Sequence, residues 1–182
     1  MAKAFSKLEE VDISQSGFEK HYQFSSLLNE MAKVDKPNLR KFGLGNIRKF
    51  SADSDLPKLI CKIPEVNFFN NQFGYIYVSA LFEKIAESED LRLEVLDISG
   101  DQCNPGGNDE VDVDIMADAV LKLRKVKLLY LQVEEIEKVL MKIISADNMK
   151  LRHLVIDGKG NIDRDLLNSA KYKAKIEFNR FY

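Results

Sequence analysis

A spaced apolar hexad, L-x-x-L-x-L, recurs along this chain and constrains its fold more than any other feature. It is clearest at Leu93, Leu96 and Ile98, and again at Leu151, Leu154 and Ile156. The same form opens the chain at Leu8, Val11 and Ile13. It returns at Leu39, Phe42 and Leu44, and at Ile63, Val66 and Phe68. The copy that is fifth in chain order reads Val126, Leu129 and Leu131, and a last, weaker one keeps only Ile176 and Phe178 behind Lys173. The starts at 8, 39, 63, 93, 126, 151 and 173 give steps of 31, 24, 30, 33, 25 and 22 residues. Steps of that size mark stacked structural units.

The hexad has a physical reading. Its last two apolar positions are two residues apart, and in a strand alternate side chains share a face. Both therefore enter one core, and the leading position fills that core as the chain arrives. The segments between hexads read as helices. FEKHYQFSSLLNEMAKV spaces Tyr22, Phe24, Leu27, Leu28 and Met31 at largely helical intervals. VSALFEKIAES does so with Val78, Leu81, Phe82 and Ile85, and DIMADAVLKLRKV with Ile115, Ala119, Val120 and Leu123. EEIEKVLMKIISA offers Ile136, Val139, Leu140, Ile143 and Ile144, and DRDLLNSAK is a shorter helix. ADSDLPKLICKI predicts one or two turns around Leu56, Leu59 and Ile60, capped by Asp53 or Ser54, with Pro57 limiting where they begin.

Strands alternating with helices imply parallel strands, because an antiparallel pair needs only a tight turn. Each strand–helix unit is too small to bury its own apolar face, and stacking makes the core continuous. The expectation is an α/β solenoid over residues 1–182, a single domain with about seven parallel strands on a concave face and helices on the convex face. LRLEVLDISG and MKLRHLVIDG, each behind an amphipathic helix, resemble the ribonuclease-inhibitor-like subclass of leucine-rich repeats. Such repeats also occur in F-box substrate receptors and in NOD-like receptors. The resemblance covers nearly the whole chain and implies a horseshoe arc that binds another protein. At the ninth repeat position, where an Asn ladder is common, only Asn71 matches; Ser16, Asp101 and Glu134 are partial substitutes, and Ile47 and Lys159 are not. The competing fold is a doubly wound α/β domain. Its buried strands read as continuous apolar runs, whereas here Asp12, Asn67, Asp97 and Glu177 interrupt every second position.

Composition narrows the function. A charged fraction of 31% with net charge −2 gives no basic excess for nucleic acid or an anionic membrane. No apolar run has the length of a membrane span, and the first residues lack the apolar core of a signal peptide. The two cysteines, Cys61 and Cys103, lack metal-ligand spacing and read as reduced thiols. These features predict a cytoplasmic location, with the nucleus as the alternative. GLGN at Gly43 and GKGN at Gly158 fall short of any phosphate-binding loop. Asp109, Glu110, Asp112 and Asp114 have the chemistry of Ca²⁺ ligands but lack the glycine and distal Glu of an EF-hand. The simpler reading is an exposed insertion in which Asp112 or Asp114 caps a helix. With two histidines, His21 and His153, and no nucleophile motif, neither a metal site, a cofactor nor catalysis is expected.

The candidate site follows from the hexad's other positions. The third, fifth and seventh face away from the core. Counted this way, they bring Phe69, Val95, Leu128, Tyr130, His153 and Val155 to the centre of the concave face, with Asp97, Gln132 and Asp157 beside them. Apolar and aromatic residues rimmed by charge suit a protein partner. The alternative is an α/β enzyme or small-ligand domain with its site at the carboxyl ends of the strands, near Ser99–Asp101 and Asp157–Lys159. The chain's terminal units carry no dedicated cap. That predicts a piece of a longer array, or self-association through an edge that another chain covers.

Overall fold

Each hexad becomes a short parallel strand, and most intervening segments become helices. The computed structural model describes residues 4, 7–13, 21–45, 55–68, 75–98, 112–158 and 160–180. The strands are β1 (Glu10–Asp12), β2 (Lys41–Gly43), β3 (Glu65–Asn67), β4 (Val95–Asp97), β5 (Lys125–Leu131), β6 (His153–Gly158) and β7 (Lys175–Arg180). Among the described residues the helices are α1 (His21–Ala32), α2 (Leu56–Cys61), α3 (Tyr75–Glu87), α4 (Val113–Lys122), α5 (Val133–Ser145) and α6 (Arg164–Lys171). The strands form one sheet in strict chain order, β1 to β7, with every pair parallel. Helices also pack in chain order, each against the next from α1 to α6. Helices on opposite faces of a sheet cannot touch, so this row lies on one side.

The register aligns the hexads. Val11, Phe42, Val66, Leu96, Val126, Leu154 and Ile176 stand side by side across the sheet, and all are buried. Residues two further on, from Leu44 and Phe68 through Leu128 to Ile156, fill the same core. Leading positions Leu39, Ile63, Leu93 and Leu151 are at most 2% exposed, whereas Leu8 is 48% exposed and leaves the first unit open at that corner.

The fifth unit is shifted from its expected place. Val126 aligns with Leu96 and Leu154, so it occupies the fourth position of its hexad rather than the first. The hexad is Leu123, Val126 and Leu128, all at most 1% exposed. Both readings of LRKVKLLYL satisfy the apolar template, and three residues separate them. An odd slip exchanges the two faces of a strand, so hydrogen bonding to β4 and β6 settles which residues go inside. With the corrected start, steps 33 and 25 become 30 and 28.

The helices follow the expected apolar spacing. Leu28 and Met31 in α1, Phe82 and Ile85 in α3, and Ile136, Val139, Leu140 and Ile143 in α5 are all buried. Asp112 caps α4, its carboxylate accepting from the N–H groups of Asp114 (2.9 Å) and Ile115 (3.2 Å). Asp163 does the same for α6. In α5 the Glu135 carboxylate accepts from the N–H of Gln132 at 2.6 Å. For α2 the cap position is Asp55, without a side-chain cap bond, and Pro57 sits in the first turn. Asp53 and Ser54 lie outside the described residues.

Lysines tie the carboxyl ends of neighbouring helices together. The Lys62 ammonium donates to the carbonyls of Ala32 (2.7 Å), the last residue of α1, and Val34 (3.1 Å), just beyond it. Lys122, at the end of α4, donates to Ala86 in the last turn of α3 and to Ser88 just after it. Lys173, after α6, reaches Ala146 at the end of α5 (3.1 Å). The last carbonyls of a helix have no intrahelical partner, and its carboxyl end favours cations. Each lysine supplies both needs for the preceding unit.

Two glycines allow close approaches. A Cβ at Gly158 would lie 2.6 Å from Ile136 Cδ1 and 2.9 Å from the Leu131 carbonyl, so Gly158 lets the start of α5 settle on the sheet. A Cβ at Gly43 would lie 2.7 Å from Asp12 Oδ1. On the far face of the sheet, the Asp12 side chain occupies the space above Gly43.

Candidate functional site

Alternation along each strand puts one set of side chains in the core and the other on the face away from the helices. The burial of β1 to β4 follows this rule, with a buried central residue between more accessible neighbours. The helix-free face therefore carries two rows. The first runs Glu10, Lys41, Glu65, Val95, Lys125, His153 and Lys175. The second runs Asp12, Gly43, Asn67, Asp97, Lys127, Val155 and Glu177.

Five of the nine expected site residues stand on this face with their register as predicted and a described side chain on β4 or β6. Val95 and Asp97 are half-buried on β4, and His153 is half-buried on β6. Val155 is only 7% exposed, yet it points away from the helices and stands apart from the main core. It lies between Lys127 and Glu177 of the flanking strands. Asp157, the fifth to fall on this face, is 6% exposed and accepts from Asn179 Nδ2 at 2.6 Å.

The structure moves two others and interrupts the ladder at a third. Leu128 is 1% exposed and belongs to the core, opposite Ile156, for the register reason given above. Gln132 follows β5 and caps α5, where its backbone N–H meets Glu135. Tyr130 is the residue the ladder skips between Leu129, paired with Asp157, and Leu131, paired with Gly158. The side chain of Tyr130 lies outside what the structure describes. Phe69 lies outside the described residues, as do Ser99–Asp101 and the rest of the acidic stretch before Asp112. An apolar centre built on Leu128 is thus replaced by Lys125 and Lys127, which the shifted register had concealed. Their alternation with Val126 fits the true strand phase, but the apolar run that follows fits the other equally, so the sequence alone carries no deciding signal.

Charge pairing on the face is partial. Lys41 lies 3.7 Å from Glu65, and Arg124 lies 3.4 Å from Glu94 at the amino-terminal rim. Glu177 meets Lys175 at 2.5 Å and His153 at 3.2 Å. The Lys175 hydrogen bond, and to a lesser degree the charges of Lys175 and His153, hold the Glu177 carboxyl below its ordinary range. Such exposed pairs contribute little to stability.

Among the described residues, two recesses lie elsewhere. One, lined by Leu56, Pro57, Ile60, Phe68, Val78 and Ile98, is almost wholly apolar and offers no group for acid–base work. The other is an open cleft at the carboxyl ends of α4, α5 and α6, bordered by Lys122, Asp147, Lys150, Arg152, Tyr172 and Lys173. Lys122 and Lys173 are engaged there with helix carbonyls. Among the described residues no group of three or more His, Cys, Asp or Glu side chains is placed to hold a metal ion. Nor is any helix among them long and apolar enough to cross a membrane. The sequence matches no protein-family model, and no curated protein matches it significantly.

Proposed function

We propose that this chain is a non-catalytic protein-interaction module, a leucine-rich-repeat type solenoid that takes its partner on the helix-free face of the sheet. One observation carries the reading: seven parallel strands in strict chain order, with every helix packed only along one row, leave the opposite face without covering elements among the described residues. Sequential stacking of this kind is the arrangement of leucine-rich-repeat arcs, and it supports the horseshoe form expected from the hexads. Seven strands about 4.8 Å apart span roughly 30 Å, wide enough for a helix or loop of a partner.

The test compares the two faces. Val95→Arg alters the centre of the sheet face, and Met141→Glu alters α5 at a residue 52% exposed. Both proteins are used as bait in affinity purification from cytosolic extract, after circular dichroism confirms the fold. Loss of the wild-type set of co-purifying proteins with Val95→Arg but not with Met141→Glu supports the reading. Unchanged recovery with both removes it.

A further inference from the structure

The helix-free face is electrically divided. On β1 to β4 and their amino-terminal rim stand Glu9, Glu10, Asp12, Glu65, Glu94 and Asp97, against only Arg40 and Lys41. On β5 to β7 and their rim stand Arg124, Lys125, Lys127, Arg152 and Lys175, against Glu177, with His153 among them. Apart from Asp157, which is buried and takes the Asn179 amide, one half is net negative by four and the other net positive by four. A chain of net charge −2 thus carries a concentrated basic field over three adjacent strands.

Both halves are partly paired, Glu177 taking Lys175 and His153 on the positive side. Lys41 bridges to Glu65, Arg124 to Glu94, and the Asp12 side chain lies against Gly43. On the positive half, neither Lys125 nor Lys127 forms a salt bridge among the described residues. They point to the same side of one strand, two residues and about 7 Å apart. Between Lys127 and Glu177 lies buried Val155, an apolar floor level with the sheet. Lysines without a salt bridge beside an apolar floor attract an anion whose backbone lies flat and whose charges repeat at strand spacing. An extended acidic peptide has that form, with alternate side chains about 7 Å apart.

We infer that the β5–β7 half of the face, centred on Lys125, Lys127 and Val155, binds an extended acidic segment of a partner protein. This rests on the proposed function and specifies its partner's chemistry. Net charge opposes such binding, so any affinity for an acidic probe reports the local patch rather than the molecule as a whole.

Fluorescein-labelled decaglutamate is titrated with the full chain by fluorescence anisotropy at about 20 mM salt, beside labelled decalysine and a ten-nucleotide oligouridylate. Screening by salt weakens exposed charge contacts. The expected result is saturable decaglutamate binding that fades by about 0.5 M salt and weakens at least tenfold in Lys125→Glu/Lys127→Glu. The charge-matched control Lys36→Glu/Lys138→Glu, exposed positions off this face, keeps wild-type affinity. Equal loss in both variants, no decaglutamate binding, or tighter binding of the oligouridylate overturns the inference. Decalysine binding alone also overturns it while leaving the interaction reading in place. The failure of that reading is registered separately by Val95→Arg in affinity purification.

Discussion

At the scale of single residues, Leu128 shows how one position separates two readings of the same string. As an outward residue it would be dispensable to the fold; at 1% exposure in the core it is not. Truncating a buried leucine removes transfer energy and leaves a cavity. Leu128→Ala is expected to lower stability by roughly 2–5 kcal/mol in urea unfolding, whereas Lys127→Ala, one residue away on the other face, changes it by less than about 0.5 kcal/mol. Cys61 is a second residue whose environment makes a prediction. Burial raises its thiol above the ordinary value of 9.0, only partly opposed by Ser88 and nearby lysines. The thiolate is therefore disfavoured in the folded chain, and the unfolded chain ionises first. Stability from this group is complete below about pH 9 and declines as pH rises through the folded value. Unfolding titrations from pH 7 to 10.5 should show a steeper alkaline loss for wild type than for Cys61→Ala.

At the scale of elements, the helices were largely legible and the ties between them were not. The apolar spacing in EEIEKVLMKIISA placed Ile136, Val139, Leu140 and Ile143 on one side, and all are buried. Asp112 was readable as a cap because a carboxylate just before an apolar period meets free N–H groups. Lys62, Lys122 and Lys173 carry no local signal of their role in the sequence. Their carbonyl partners lie 27 to 36 residues away, and nothing local identifies them. Replacing Lys122 with Met keeps the aliphatic stem and removes the donor to Ala86 and Ser88. A cost of about 1–3 kcal/mol is expected in chemical denaturation, since hydrogen bonds from charged donors are the stronger ones. The strand β5 was misphased for a related reason. Its run of apolar residues satisfies two hexads, and only the neighbouring strands select between them.

At the scale of the whole molecule, every substantial contact between elements joins neighbours in chain order. Stability in such an array is roughly a sum of unit and nearest-neighbour terms. Damage at one end should then remain near that end. Ile176, 5% exposed on β7, is the last residue of the buried row across the sheet. Ile176→Ala is expected to speed amide hydrogen exchange in β7 and α6 by tenfold or more, with β2 to β4 protected as in wild type. Uniform acceleration across all seven strands would show a single cooperative core instead.

The strand count, the parallel α/β order and most of the core row were written in the hexads, because a period-two apolar pattern followed by a helical one leaves few alternatives. So were Val95, Asp97 and His153 as residues of the open face. The character of that face was settled by strand pairing. A slip of three residues in β5 exchanges Leu128 for Lys125 and Lys127, and turns an expected apolar centre into the positive half of a divided surface. Local pattern sets which residues can be inside. Where two phases satisfy it equally, only hydrogen-bonded neighbours with a fixed register choose between them.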